Sequence, residues 1–186
     1  MIAIMRPEEE VRLLHNFLLS CLTADKVDTI VEVGTFAGES AVVFAKYAKH
    51  LICVDPYIGG YDDKDEASNE LMMREAKAQF QRVRACHPNI SHLELTSEVA
   101  AAILMPNSID MVYLDGSHKR EDVERDIKAW LPRVKPGGLI AGHDYDAKWF
   151  RGGEVKETVD AVLGKPFLVI GSNWAVRKGV DRPLVV

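Results

Sequence analysis

The sequence predicts an α/β fold built on a mostly parallel sheet with flanking helices, and three observations predict it. Short apolar, β-branched segments alternate with longer amphipathic helical patterns along the chain. The first strand, Val27 to Val33, meets a glycine turn and a helix, and the next short apolar run stops at the acid Asp55. Near the C-terminus, Phe167 to Ile170 and Trp174 to Arg177 are joined only by Gly171-Ser-Asn173. So short a connection demands an antiparallel hairpin, because a parallel crossover needs a dozen or more residues.

The elements follow in order. Pro7 and the three glutamates after it open a helix, since proline suits a first turn and acids favour a helix N-terminus. Val11, Leu14, Phe17, Leu18 and Leu22 form its apolar stripe. After the strand at Val27 to Val33 comes a helix over Ser40 to Ala48, then a strand over Leu51 to Val54. Pro56 to Glu66 is a polar, acidic loop, and a helix runs from Ala67 to Cys86, before His87-Pro88. A third strand is expected at His92 to Leu95, a short helix at Val99 to Leu104 and a fourth strand at Asp110 to Asp115. Lys119 to Leu131 is an amphipathic helix stopped by Pro132. Val134 to Gly138 turns into a fifth strand over Leu139 to Gly142, and Val155 to Leu163 is helical before the closing hairpin. One domain accounts for the 186 residues.

The glycine turn discriminates between nucleotides. A dinucleotide fingerprint needs G-x-G-x-x-G so that backbone amides approach a pyrophosphate. Here Phe36 holds the second glycine's place, leaving Gly34 and Gly38, and Glu32 would repel a phosphate. A ligand with a ribose, an ammonium group and no phosphate suits this turn better, and S-adenosylmethionine is one. An NAD-dependent oxidoreductase is the rival reading, and a non-catalytic S-adenosylmethionine-binding protein is another.

Composition narrows the classes. The formal net charge of −5 argues against broad electrostatic binding to nucleic acid or an anionic membrane. No apolar run is long enough to span a bilayer, and the first ten residues lack the basic and apolar regions of a secretory signal. Cys21, Cys53 and Cys86 share no close spacing and read as buried free thiols, consistent with a cytoplasmic protein. His15, His50, His87 and His92 read as surface or packing residues.

Three segments carry a resemblance: Glu32 to Ser40, Ile109 to His118 (with Asp115-Gly-Ser-His118) and Lys135 to Tyr145 (with Gly142-His-Asp-Tyr145). Together they resemble the class I S-adenosylmethionine-dependent methyltransferases. Within these the chain is similar to the small O-methyltransferases related to macrocin-type sugar methyltransferases, and more distantly to catechol-type enzymes. The resemblance implies a Rossmann-like, seven-stranded sheet of order 3-2-1-4-5-7-6 with strand 7 antiparallel and helices on both faces. It implies that Glu32, Gly34, Thr35, Gly38 and Ser40 surround the methionine moiety, that Asp55 binds the ribose, and that Ser97 lies near the adenine. Asp115 matches both a cofactor-side position and an acidic metal ligand, and His143-Asp144 occupies the place of the second ligand pair. A histidine there departs from the family pattern. Mg²⁺ prefers oxygen ligands, so His143 either shifts the preference toward a transition metal or hydrogen-bonds Asp144 instead.

Methyl transfer is an in-line displacement that needs an aligned acceptor and removal of its proton. His118, three residues past Asp115, stands where catechol-type relatives place a lysine base; Asp144 is the alternative base. The expected acceptor is a small hydroxylated molecule, a sugar or a catechol-like ring. The expected assembly, from the resemblance alone, is a homodimer or higher oligomer. Tyr57 to Tyr61 and Trp149 to Gly153 are the aromatic segments expected to contact the acceptor, the second as a lid beside its Gly-Gly pair.

Overall fold

A computed structural model describes residues 7–23, 26–61, 68–145 and 154–179. The segments Asp62 to Glu66, expected as the end of an acidic loop, and Trp149 to Gly153, expected as a lid, lie outside the described residues. The elements run α1 (Glu8–Cys21), β1 (Val27–Val33), α2 (Glu39–Tyr47), β2 (Ala48–Val54), α3 (Glu70–Ala85), β3 (Ile90–Leu93) and α4 (Ser97–Ile103). Then follow β4 (Ile109–Leu114), α5 (Arg120–Trp130), β5 (Val134–Gly142), α6 (Glu154–Val162), β6 (Leu168–Ile170) and β7 (Asn173–Arg177). The strands form one seven-stranded sheet of order β3-β2-β1-β4-β5-β7-β6. β7 runs antiparallel to both β5 and β6, and the remaining pairs are parallel. The strand order implied by the resemblance and the hairpin read from the short connection are those observed.

Strand alternation divides the apolar residues into two cores. Ile30, Leu51, Cys53, Met111, Tyr113, Leu139 and Ala175 point to one face, where α1, α2 and Phe80 of α3 cover them. Val31, Val33, Val112, Leu114, Ile140 and Trp174 point to the other, under α4, α5 and α6. Full burial of each large side chain contributes roughly 1.5–3 kcal/mol. Tyr113 carries a polar atom into the first core, and its hydroxyl donates to Asn173 Oδ1 at 2.5 Å. Asn173 in turn donates to the Ile170 carbonyl at 3.0 Å, so the hairpin is tied to the central strand through satisfied polar groups.

Local chemistry explains where elements begin. Asn69 caps α3 by accepting from the amides of Leu71 and Met72 at 2.9 and 3.1 Å. Pro7 sits just before α1 as its cap residue, with the three glutamates filling the first turn. β3 starts two residues earlier than expected. The Asn89 side chain donates to the carbonyls of Ala45 and Ala48, and its own carbonyl accepts from Leu51, which sets Ile90 opposite Leu51. The expected turn at Val134 to Gly138 is instead an irregularity inside β5, where pairing with β4 jumps from Ile109↔Val134 to Met111↔Leu139. Gly137 absorbs it at φ +77°, a conformation open to glycine. Among the thiols, Cys21 and Cys53 are buried as expected, whereas Cys86, the C-cap of α3, is exposed. No helix among the described residues is long and apolar enough to cross a membrane.

Candidate active site at the carboxyl edge of the sheet

Backbone hydrogen bonds carry the sheet one residue past its strands and line up the site. Gly34 N donates to Val54 O at 2.9 Å, Asp55 N to Leu93 O at 3.3 Å, Asp115 N to Val33 O at 2.9 Å and His143 N to Leu114 O at 3.1 Å. Asp55, Gly34, Asp115 and His143 therefore stand side by side where β2, β1, β4 and β5 end. This is the switch point of the strand order, where open α/β sheets bind ligands. A cleft of about 920 Å³ opens there. Its walls include Gly34, Thr35, Ser40, Asp55, Ser97, Asp115, His118, His143 and Asp144, which brings together most of the residues singled out from the sequence.

Glu32 is placed differently. The resemblance puts it at the methionine end of a cofactor, but its carboxylate is 0% exposed and lies off the cleft wall. Alternation along β1 turns it under α2, where it accepts from the Ser40 hydroxyl and from the Cys53 thiol, the latter at 3.5 Å. Ser40 thus stands between Glu32 and the cleft. Gly38 serves the turn as the left-handed cap of α2, at φ +85°.

Asp55 is 5% exposed, and both of its oxygens accept backbone amides: Oδ2 from Phe36 and Oδ1 from Tyr57, each at 2.8 Å. Those two residues have left-handed backbones, φ +49° and +51°. The Tyr57 hydroxyl closes the arrangement by donating to the Phe36 carbonyl at 2.7 Å. Burial raises the Asp55 pKa, while its amide partners and His92 pull it the other way. A carboxylate offers about four acceptor positions, so this one keeps capacity for ribose hydroxyls.

A cluster of titratable side chains lies at the ends of β4 and β5. His118 Nε2 is 2.9 Å from Asp144 Oδ2 and 4.0 Å from Asp115 Oδ1. His143 Nδ1 is 3.1 Å from the same Asp144 oxygen and 3.8 Å from the same Asp115 oxygen. Burial works against a charged His118 ring, but the neighbouring carboxylates of Asp115 and Asp144 outweigh it and push its pKa up to about 10. Burial likewise opposes an ionised Asp144, yet hydrogen bonds from His118 and His143 hold it well below the usual carboxylate range. The two carboxylates therefore favour the protonated ring of His118. Asp115, His118 and Asp144 each offer a ligand atom within 4.8 Å of the others. Trp174 Nε1 donates to the His143 carbonyl at 3.0 Å and fixes the loop that carries both His143 and Asp144. Asp144 sits at φ +58°, a backbone that aspartate tolerates better than most residues.

Two site residues escaped the sequence reading. Glu10 of α1 lines the cleft and places Oε2 3.4 Å from His143 Nε2. Asp126 of α5 also lines it, 8% exposed, hydrogen-bonded to Ser97, whose oxygen accepts from Trp130 Nε1 at 2.8 Å. Both were legible in principle as acids on an apolar stripe. Glu10 lies one turn before Leu14, and Asp126 sits between Val123 and Ile127.

Burial pushes the Asp126 pKa up from 3.8 to about 6; the Ser97 hydrogen bond opposes this, and Glu98 and Asp122 add to it. The sign follows directly. Above about pH 6 the group is charged in both folded and unfolded states, and the folded state bears the burial cost. That cost is relieved as pH falls from about 6 toward 3.8, because the folded state takes up the proton first. Asp126→Asn should therefore gain stability relative to the parent at pH 8, and the advantage should shrink by roughly 2 kcal/mol by pH 4. Urea unfolding of both proteins across that range checks it; a gap independent of pH would refute the assignment.

The walls do not suit a pyrophosphate. Glu39, Asp55, Asp115 and Asp144 line the cleft, and Arg125 at its rim is already paired with Glu98 and Asp122. Phe36, in the place of the fingerprint's second glycine, spends its amide on Asp55.

Comparison with known proteins gives the family and the fold. A family profile described as a methyltransferase domain matches residues 31–145. An uncharacterised protein of Acanthamoeba polyphaga mimivirus is 32% identical over 147 residues, which cover 73% of this chain and 62% of that protein's length. A candidate caffeoyl-CoA O-methyltransferase structure from Staphylococcus aureus superposes with TM-score 0.60 at 17% identity, covering 96% of this chain and 86% of its own. A candidate methyltransferase from Streptococcus mutans, solved with S-adenosylhomocysteine, superposes with TM-score 0.58 at 16% identity, covering 94% and 98% of the two chains. At these identities the structural likenesses speak to the fold.

Proposed function

The chain belongs to this methyltransferase-domain family, and from that premise we propose that it is an S-adenosylmethionine-dependent O-methyltransferase. Its acceptor is a small hydroxylated molecule, a sugar or a catechol-like ring, and its reaction is assisted by a divalent cation. One observation carries the reading: Asp55 and the cluster Asp115, His118, His143 and Asp144 open into the same cleft.

The donor set fits the cofactor. Asp55 has acceptor capacity for two ribose hydroxyls, and an acidic wall suits a sulfonium and an ammonium group. Gly34 lets the β1 turn lie against the Asp115 backbone, which brings the ribose site and the reactive cluster close together. Ser97 and Asp126 lie on the α4–α5 side of the cleft, where a nucleobase extending past Asp55 would rest. When bound, the cofactor supplies a methyl group already activated for displacement.

The protein's own work is to orient the acceptor hydroxyl and deal with its proton. Asp144 and His118, 2.9 Å apart, are the groups placed for that. His118 is the first candidate base and Asp144 the second; the carboxylates beside His118 favour its protonated ring, so its action as base requires that proton to leave first. A divalent cation held by the cluster carboxylates would supply Lewis-acid lowering of the hydroxyl pKa.

Calorimetric titration with S-adenosylmethionine, S-adenosylhomocysteine and NAD tests the cofactor half. Micromolar binding of the sulfur compounds alone is expected; tight NAD binding, or none of the three, sinks the reading. A panel of vicinal diols and catechols, with chelator and with added cation, tests the rest. Methylated product lost in chelator is expected. Cofactor binding with no turnover on any acceptor favours a non-catalytic binding protein.

A further inference from the structure

We infer that Lys119 is a latch across the cleft: its ammonium group joins the two walls over the cofactor's path, and it must release the Tyr61 carbonyl for cofactor to enter or leave. The inference rests on the cofactor reading above and adds how exchange of that cofactor is controlled.

The two walls belong to opposite faces of the sheet. The segment leaving β2 is part of the first. Tyr57 packs against the core under α1 and α2 and against Phe80 of α3, and its hydroxyl donates to the Phe36 carbonyl in the turn after β1. The far end of this segment is tied down beside α3, where Gly60 N donates to the Ser68 carbonyl and an added Cβ on Gly59 would lie 2.6 Å from the Glu70 amide nitrogen. α5 covers the other face, with Val123, Ile127 and Trp130 in the second core. Lys119, immediately before α5, donates from Nζ to the Tyr61 carbonyl at 2.5 Å, across 58 residues of sequence. The cleft lies along the carboxyl edge between the two faces, so a bond from one face to the other crosses it. Pro56, Ile58 and Tyr61 on one side and Ser117 and His118 on the other line that same cleft.

The moving part is the lysine side chain. Its backbone is held, since Lys119 N donates to Ser117 Oγ at 3.4 Å and that hydroxyl donates to Asp122 Oδ2 at 2.6 Å. The opposite segment is held at both ends, by Tyr57 N on Asp55 Oδ1 at 2.8 Å and by Gly60 on Ser68. Between these fixed backbones stands a flexible four-carbon stem ending in a charged donor bonded to a neutral carbonyl. That bond is stronger than a neutral pair, yet water replaces it without either wall moving. Its place follows from the sheet order. β1 lies between β2 and β4, so a cofactor reaching from Asp55 toward Asp115 and His118 runs below the bond. Ile58 is 62% exposed and borders the cleft three residues before Tyr61, an apolar surface that a seated nucleoside would cover.

Stopped-flow tryptophan fluorescence of the full chain mixed with S-adenosylhomocysteine tests it. A gate scales entry and exit alike by the fraction of time it is open, whereas a lost cofactor contact speeds exit alone. Lys119→Met keeps the stem and deletes the donor. Association and dissociation rates should both rise about ten-fold, the scale of one hydrogen bond to a charged group, and Kd should change by less than either. A second measurement needs no variant. Reductive methylation followed by mass spectrometry should show the Lys119 amine reacting more slowly once S-adenosylhomocysteine is bound, while Lys128, exposed in the last turn of α5, reacts at an unchanged rate. Unchanged rates in Lys119→Met overturn the inference, and so does a rise in dissociation alone, which would make Lys119 a simple contact. Lys119 labelling indifferent to the cofactor also overturns it, and this result on the parent protein decides the matter if the variant fails to fold. Any of these results with S-adenosylhomocysteine bound refutes the latch alone. A parent protein that binds no S-adenosylhomocysteine refutes the functional reading as well.

Discussion

Gly34→Ala is expected to cost more than about 4 kcal/mol and to leave little soluble protein, an effect reserved for a few mechanisms. Two of those mechanisms meet here. The residue sits at φ +86°, where side chains are strained, and an added Cβ would lie 2.1 Å from the Asp115 carbonyl oxygen and 2.7 Å from the Gly116 amide nitrogen. Both neighbours are backbone of the segment leaving β4, so no side chain can swing aside. Relief would require separating β1 from β4 at the bond that aligns them in the site, Asp115 N to Val33 O. Gly60→Ala is the control. Its φ is +78°, but nothing lies within 4 Å of an added Cβ. Strain alone then applies, about 1–2 kcal/mol, or a fall of several degrees in melting temperature for a chain of this size. Yield and thermal unfolding of the two variants measure the difference. A Gly34→Ala protein as stable as Gly60→Ala would show that the turn does not press on β4.

Asp55→Asn is expected to weaken S-adenosylhomocysteine binding by about 1.5–3 kcal/mol, roughly ten- to a hundred-fold. Part of the loss is direct, since an amide accepts on one oxygen only and loses the charge-assisted hydrogen bonds to the ribose. The rest is indirect. The substituted side chain would offer one acceptor atom where the carboxylate now serves both Phe36 and Tyr57. Those residues hold left-handed backbones at a cost of about 1–3 kcal/mol each, and the bonds to Asp55 are what maintain them. The cleft wall should therefore loosen as well as lose a contact. Calorimetry of the variant gives the affinity, and a Tyr57→Phe protein, which loses only the 2.7 Å bond to the Phe36 carbonyl, isolates the indirect share. Unchanged affinity in Asp55→Asn would remove the residue from the cofactor site.

Much of the fold and many of the site positions could be read from the chain because local rules reach them. Alternating apolar strands, capped helices and a three-residue hairpin connection define the elements, and a ligand at the carboxyl edge follows from any open parallel sheet. Asp55, Asp115 and His143 were therefore nameable as strand-end residues before any contact was known. Boundaries failed where a long-range partner overrides local preference. Ile90 enters β3 because Asn89 bonds the end of α2, and the Pro-Gly-Gly run stays within β5 because β4 pairs on both sides of it.

What the sequence determined by itself is the kind of protein this is: an α/β chain with a glycine turn unsuited to pyrophosphate and an acid at the end of its second strand. These features depend on neighbours a few residues apart, where backbone sterics and side-chain periodicity act. What only the tertiary structure decided is which groups meet. Glu32 left the cleft because strand alternation and Ser40 drew it into the core. Glu10 entered because α1 packs on α2, β6 and β7, which brings its carboxylate to His143, 133 residues away. His118 and His143 face the same two carboxylate oxygens because β4 and β5 are held in register. Charge and hydrogen-bond energies change steeply over a few ångströms, and separation along a sequence carries no information at that scale.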